Sequence, residues 1–392
     1  MLKVKEYKML VAIFLALSFN PSFSQYKLSN KAEISLLTCS PGEELYSLFG
    51  HSAVRVSDPA QRLDVVFNYG TFSFDEDFYF NFTMGRLNYA LSVSEMPNFI
   101  REYQYEGRGI EEQILDLDSA QKQAVFNFLV WNARPENREY LYDFFYDNCS
   151  SRIRDVLDST LSSGNPSFPD LRRESDPSFR NLIDEYLIYH PWGDFGIDLG
   201  LGLPCDKVVA SAEYMFLPDQ LMLGFEGATL DGHPLVKAER TLLPAQVLNY
   251  AWSIFQPIPL FWIVAAVLLA FSFLGRRRQK LWRWIDVLYF IMTGAVGALI
   301  FFLWFISDHN ATDYNFNMLW ACPTHLLFIA FLWLDKVRRT YWLVYGSILI
   351  LTLLTFPILP QAMHLAVIPL IILGIFRAFI NWRYVPASQQ PS

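Results

Sequence analysis

One cysteine stands where its neighbours would activate it. Cys149 follows Asp147 and Asn148, two residue types that favour the N-cap of a helix, and this predicts a helix from Cys149 to about Leu161. A helix N-terminus carries partial positive charge, which lowers the pKa of a thiol there, and the thiolate is the nucleophilic form. The alternative is an inert cysteine buried as a small apolar side chain, which is the commoner state of a free cysteine.

A nucleophilic thiol needs a base, and His51 is the candidate. It lies at one end of a hairpin predicted from residues 53–56 and 65–69. Imidazole has a suitable pKa for taking the proton of a thiol, although a lone histidine is more often a core or surface residue. A third group would orient the ring. Asn68 is our choice for that group, although it also suits a turn, and Tyr46 and Asp147 are its rivals.

Other chemistries lack their residue patterns. The sequence contains no Cys-x-x-Cys and no His-Glu-x-x-His, so the usual zinc frames are missing. It has no phosphate-binding loop, and residues 50–53 do not match a nucleophile elbow. We therefore expect neither a metal nor a soluble cofactor.

The N-terminal part is predicted to be exported. Residues 1–24 carry three lysines, an apolar run and a small-x-small cleavage site, which is typical of a signal peptide; an uncleaved anchor is the alternative. We predict an exported domain over 25–255 and a membrane domain over 256–392. The exported part holds 18 Lys and Arg against 34 Asp and Glu (net −16), which argues against nucleic acid and against adsorption to anionic lipid.

The C-terminal part is predicted to cross the membrane five times. The whole chain is 53% apolar and 17% aromatic, too rich for an ordinary soluble protein. The basic loops after the first and third apolar runs would be cytoplasmic, so the domain before the first run lies outside. The five predicted spans are residues 258–274, 284–306, 318–334, 342–356 and 363–380.

Three further observations leave alternatives open. The exported cysteines Cys39, Cys149 and Cys205 cannot all pair within one chain, so at least one thiol stays free, and pairing of the other two is undecided. The aromatic run at residues 72–82 is either core or a surface that meets acyl chains, with core favoured. Residues 191–198 are predicted to form a Gly-rich, aromatic bend.

Several motifs resemble the Lnb family. The N-terminal motifs resemble the Lnb N-terminal periplasmic domain. They are residues 48–56 around His51, 67–72 around Asn68, 146–155 around Cys149, and 195–199. The outer-loop run ending in Asn317–Trp320, with Pro323 and His325, resembles the membrane half of the same family. The resemblance implies an α+β fold, with a permuted papain-like (NlpC-type) domain followed by an all-α five-helix transmembrane domain.

The resemblance implies a lipoprotein N-acyltransferase at the periplasmic face of the bacterial inner membrane. Cys149 would be the nucleophile and His51 the base, while the resemblance does not fix the third residue. A membrane phospholipid would donate the acyl chain through a Cys149 thioester, and a diacylated lipoprotein would accept it. The alternatives are a tethered cysteine peptidase or amidase acting on cell-wall peptides, and a non-enzymatic membrane module. The candidates for substrate binding are Tyr46, Ser52, Asp147, Asn148, Ser150, Arg152, His309, Asn317 and His325.

Overall fold

A computed structural model describes residues 26–72, 76–86, 88–246, 252–274 and 279–383. The predicted signal peptide and residues 275–278 of the first basic loop lie outside these residues. The described part comprises a mixed α/β region up to residue 246 and a region of helices from Pro257 onward. The predicted boundary at residues 255–256 lies in the connection between these regions.

An antiparallel sheet forms the frame of the N-terminal region. Among the described residues, its seven strands run in the order β6-β4-β3-β2-β1-β5-β9, and β7 and β8 form a separate small hairpin. The strands are β1 (Glu33–Cys39), β2 (His51–Asp58), β3 (Leu63–Thr71), β4 (Asn88–Glu95), β5 (Ile110–Leu115), β6 (Glu139–Leu141), β7 (Thr229–Leu230), β8 (His233–Pro234) and β9 (Val236–Leu243).

Helices cover the sheet and make up the second region. Those of the first region are α1 (Phe78–Met84), α2 (Met96–Tyr105), α3 (Ser119–Asn132), α4 (Cys149–Thr160), α5 (Phe179–Leu187), α6 (Pro191–Gly200) and α7 (Pro218–Glu226). Those of the second are α8 (Pro257–Leu274), α9 (Gln279–Phe305), α10 (Thr324–Phe328), α11 (Asp335–Thr355) and α12 (Ile368–Arg383).

Both faces of the sheet are buried at the β2–β3 hairpin. Val54 and Phe67, paired across the hairpin, pack with α3 and α4 on one face. Ala53 and Val66 pack with α2 on the other face. Since neighbouring side chains point to opposite faces, this double cover explains why apolar residues follow one another in β3. The predicted hairpin is confirmed, with His51 opening β2 at the end away from the turn.

Two local predictions are wrong. Residues 191–198, expected to form a bend, begin α6, because a proline fits the first turn of a helix and Pro191 occupies that position. The third expected span, residues 318–334, is not one continuous helix. It contains the short α10 and two 3-10 turns, with Pro323 at the N-cap of α10.

Within the part of the chain that the structure describes, three helices are long and apolar enough to cross a membrane: Arg283–Phe305, Lys336–Ile358 and Leu365–Arg383. The apolar helix Pro257–Phe273 and the broken helical stretch Phe316–Phe331 are shorter, so the count of five stays a prediction. Arg377 is buried between helices, where its Nε donates to Asp286 Oδ1 at 2.8 Å. An ion pair in this position is a structural tie between α9 and α12.

Candidate functional site

Cys149 is the first residue of α4, as the sequence predicted. The side chain of Asn148 caps the helix, since its Oδ1 accepts the N–H groups of Ser150 at 2.8 Å and Ser151 at 2.9 Å. Asn148 Nδ2 donates to the carbonyls of Phe144 and Phe216. The side-chain oxygen and nitrogen of Asn148 are thus both hydrogen-bonded to the backbone. Asn148 therefore fixes the position of the thiol, and neither atom is left to bind a substrate.

The His51 ring joins Cys149 to Asn68. Its Nε2 lies 2.5 Å from Asn68 Oδ1, and the ring is close enough to Cys149 for each group to shift the pKa of the other. An amide oxygen only accepts, so Nε2 carries the proton, and in the neutral ring Nδ1 is the nitrogen that can accept one. This is the geometry of an oriented base beside a nucleophile.

Electrostatics favour the thiolate at this position. Burial raises the pKa of the Cys149 thiol, but the charge and hydrogen bond of His51, the backbone N–H of Ser52 and the Ser150 hydroxyl outweigh burial and lower the pKa to about 7. Burial lowers the pKa of His51, yet the neighbouring Cys149 and Asn68 raise it above its ordinary value overall. Each group therefore stabilises the charged form of the other.

Gly70 brings the backbone of β3 against this pair. Its φ of +84° is in the left-handed region, where side chains other than glycine are strained. A Cβ at this position would lie 3.6 Å from Cys149 Cβ and 3.9 Å from His51 Cε1. The sequence contained this signal only as a glycine two residues after Asn68, and its role was missed.

The rivals of Asn68 are engaged elsewhere. Asp147 Oδ2 accepts from Arg152 Nη2 at 2.8 Å, and the Arg152 guanidinium lies 3.6 Å from the centroid of the Tyr140 ring. The Tyr46 side chain is 64% exposed, and its hydroxyl is 3.5 Å from Glu106 Oε1. Of the three candidates for orienting the base, Asn68 is the one that contacts His51.

Ser52 and Ser150 form a buried hydrogen bond beneath the site. Both are buried, and their hydroxyl oxygens are 2.9 Å apart, which ties the start of β2 to the start of α4. This bond holds the strand that carries His51 against the helix that carries Cys149. The two serines thus position the reactive pair.

The predicted outer-face residues make contacts within the protein. Asn317 is buried and joins the two regions, because its Nδ2 donates to Asp198 O at 3.1 Å while its Oδ1 accepts from Trp320 Nε1. His325 is buried among the helices, 2.7 Å from Thr293 Oγ1. His309 Nε2 lies 2.9 Å from the carbonyl oxygen of Phe82. These contacts give Asn317 and His325 structural roles, and their predicted roles in substrate binding stay predictions.

One carboxylate cluster has the composition of a cation site. Asp184, Asp194 and Asp198 bring one oxygen each within 4.8 Å of one another. Arg180 already supplies positive charge there, donating to Asp198 Oδ1 at 2.6 Å. Burial and the nearby Asp198 raise the pKa of Asp184 to about 8, so this carboxyl carries a proton at neutral pH. The guanidinium and that proton together neutralise much of the cluster, which sits where the two regions meet.

Comparison with known proteins bears on both regions. Residues 20–182 match the family model described as Lnb N-terminal periplasmic domain, and residues 249–388 match the one described as Lnb transmembrane domain. No curated protein and no solved structure matched the chain. The two matches occur in order and leave out only residues 1–19, 183–248 and 389–392. The resemblance inferred from the motifs is confirmed, and the chain belongs to the Lnb family, as a membrane protein with a periplasmic N-terminal domain.

Proposed function

We propose that this chain is a lipoprotein N-acyltransferase of the bacterial inner membrane. The observation that carries the proposal is a thiol at a helix start, beside a histidine that Asn68 orients, in a domain hydrogen-bonded to the membrane region. Membership of the Lnb family supports the same role. Both proposed substrates, a phospholipid and a diacylated lipoprotein, are held in a bilayer, which accounts for a thiol enzyme built onto a membrane domain.

The finer description of the fold belongs to this proposal. We infer a signal peptide over 1–24, a permuted papain-like (NlpC-type) domain over 25–255 and five membrane helices over 256–392. The order of the catalytic elements supports the permutation, because the histidine strand β2 precedes the cysteine helix α4.

The first half-reaction acylates the enzyme. The Cys149 thiolate attacks the carbonyl carbon of a phospholipid acyl ester, and a C–S bond forms. The C–O bond to glycerol then breaks, and the leaving oxygen takes a proton from the His51 imidazolium, which releases lysophospholipid. The N–H groups of Ser150 and Ser151 already donate to Asn148, so the backbone N–H of Cys149 is the helix-start donor we assign to the developing oxyanion.

The second half-reaction transfers the chain. The α-amine of an S-diacylglyceryl cysteine attacks the thioester carbonyl, and neutral His51 takes a proton from that nitrogen. The C–S bond breaks, the amide forms, and the thiolate and imidazolium are restored together. Asn68 holds the ring in one orientation through both steps.

Mass spectrometry of lipoprotein N-termini tests the proposal. Deleting the gene in its own cells should remove the N-linked acyl mass from lipoproteins, and the wild-type gene should restore it. Unchanged N-acylation after deletion, in cells with no second enzyme of this activity, contradicts the proposal.

A tethered cysteine peptidase or amidase is the second candidate, because a Cys–His–Asn arrangement also serves peptide hydrolysis. It would cleave cell-wall peptides in water. Incubating the full-length protein in detergent with such peptides distinguishes the two candidates. Cleavage that depends on Cys149, with no acyl transfer from phospholipid, would favour the peptidase.

A further inference from the structure

Helix α1 rests on the outer end of a membrane span. The apolar span in α9 ends at Phe305, and the loop just after it bonds to α1. The N–H of Asp308 donates to Met84 O at 2.8 Å, and Asp308 also pairs with Arg86 at 2.5 Å. With the bond from His309 to Phe82 O, these contacts hold α1 within a few residues of the membrane surface.

The free side of α1 is aromatic. Tyr79, Phe80 and Phe82 are 74%, 65% and 52% exposed, three large rings within one short helix. Phe78 on the same helix is buried. Tyrosine concentrates where a bilayer meets water, and exposed Phe rings lie on the lipid side of interfacial helices, so this face suits the outer leaflet better than bulk water. The expectation that residues 72–82 form core therefore holds for Phe78 and fails for the other three.

A row of rings leads from α1 to the thiol. Successive ring centroids along it are 4.2 to 6.4 Å apart. At its inner end Tyr140 and Cys149 belong to one buried cluster, with the two tyrosines before Tyr140 packed against that cluster. In order from the membrane side, the aromatic row is Phe82, Phe78, Phe72, Tyr89, Tyr142 and Tyr140.

We propose that the aromatic row binds a single acyl chain of an outer-leaflet phospholipid, with α1 lying in that leaflet. The inference rests on the proposed function, because it assumes that a lipid ester reaches Cys149. An ester at Cys149 lifts its acyl chain out of the bilayer, and water would oppose that transfer unless apolar surface covered the chain. The exposed Phe82 and the half-buried Phe72, Tyr89 and Tyr142 supply that surface, from the membrane side at α1 to the cluster that contains Cys149.

Photocrosslinking tests the site without relying on catalysis. The full-length Cys149→Ser protein is placed in phosphatidylethanolamine and phosphatidylglycerol vesicles that contain a phospholipid with a photoreactive group along its acyl chain. Crosslinked peptides should include residues 72–89 in addition to the membrane helices. Crosslinks confined to residues 257–383 would overturn the proposal.

A kinetic comparison tests whether the aromatic row is used. Phe82→Asp should lower kcat/KM for vesicle phospholipid about ten times more than it lowers kcat/KM for a short-chain, water-soluble thioester. The loss should be mainly a rise in KM. Phe82→Leu should restore most of the loss. Tyr26→Asp is the matched control, because Tyr26 is also an exposed aromatic residue. It is close in the chain to Ser29, and Ser29 bonds to Asp58 at the end of β2 opposite to His51.

The outcomes separate the two proposals. Equal losses for both donors in Phe82→Asp would overturn the role of the aromatic row while leaving acyl transfer intact. A wild-type protein that transfers no acyl chain from phospholipid would instead overturn the proposed function, and the crosslinking result would then decide alone whether the aromatic row binds lipid.

Discussion

Cys149 and Cys39 lie at the same end of the sheet and are both buried, yet their thiols differ by orders of magnitude in acidity. Cys39 pairs with His51 across β1 and β2, but its side chain packs against α2. Burial raises its pKa to about 12, whereas that of Cys149 is lowered to about 7. Burial alone therefore makes a thiol inert, and the hydrogen-bonded charge of His51 makes the other one nucleophilic.

Replacing each thiol in turn gives the largest expected effect. Cys149→Ser should reduce acyl transfer by on the order of a thousandfold or more, because a serine hydroxyl beside the same imidazole is a much weaker nucleophile. The rate of transfer from phospholipid to a diacylated lipopeptide measures this in vesicles.

Cys39→Ser is the matched control, since it makes the same change in a buried thiol of high pKa. It should stay close to the wild-type rate. A Cys149→Ser protein that still N-acylates would contradict the mechanism. A folded Cys39→Ser protein without activity would contradict the contrast between the two thiols.

Removing the charge partner should make Cys149 resemble Cys39. In His51→Ala, burial remains while the imidazolium and its hydrogen bond are lost, so the pKa of the Cys149 thiol should rise from about 7 to above its ordinary 9.0. The thiolate exists above the pKa, so alkylation by iodoacetamide rises with pH and its midpoint should move to higher pH. At pH 7 the rate should fall by about fiftyfold or more.

The alkylation rate is measured in a protein whose other three cysteines are replaced by serine, so that only Cys149 can be alkylated. His51→Ala should also lower acyl transfer by about a hundredfold or more, since general-base help is lost. A midpoint that stays near pH 7 would show that the helix start, and not His51, sets the acidity.

The parts of this site that the sequence predicted depend on local signals. Two capping residues before Cys149 predicted the start of α4, and alternating apolar residues around a turn predicted the β2–β3 hairpin. Both features arise from interactions a few residues apart, so a single chain contains enough information for them.

The parts that could not be predicted depend on packing between distant residues. Asn317 and His325 are polar residues at membrane depth, and such residues often serve function. Their actual partners, Asp198 and Thr293, come from elements that only the fold brings near. For the group that orients His51 the sequence predicted Asn68 with two rivals, and it is the path of β3 next to Gly70 that decides for Asn68.

Replacing Asn68 should have the smallest effect on the transfer rate, but its effect on the pH–rate profile is the most diagnostic. Asn68→Ala removes a hydrogen bond to the ring and should lower the transfer rate by about tenfold to a hundredfold, the range for a bond to a charged group. That bond raises the pKa of His51, so its loss should lower the His51 pKa and move the alkaline limb of the pH–rate profile to lower pH. The acidic limb should move far less, because His51 still faces the thiol.

Asn68→Asp separates orientation from charge. It keeps an oxygen acceptor and adds negative charge, which favours the imidazolium, so the alkaline limb should move to higher pH while the rate at neutral pH recovers. A residue that only fills space would shift neither limb. Opposite shifts in the two variants, measured on the full chain in vesicles, would show that the acidity separating Cys149 from Cys39 is controlled through a histidine that Asn68 orients.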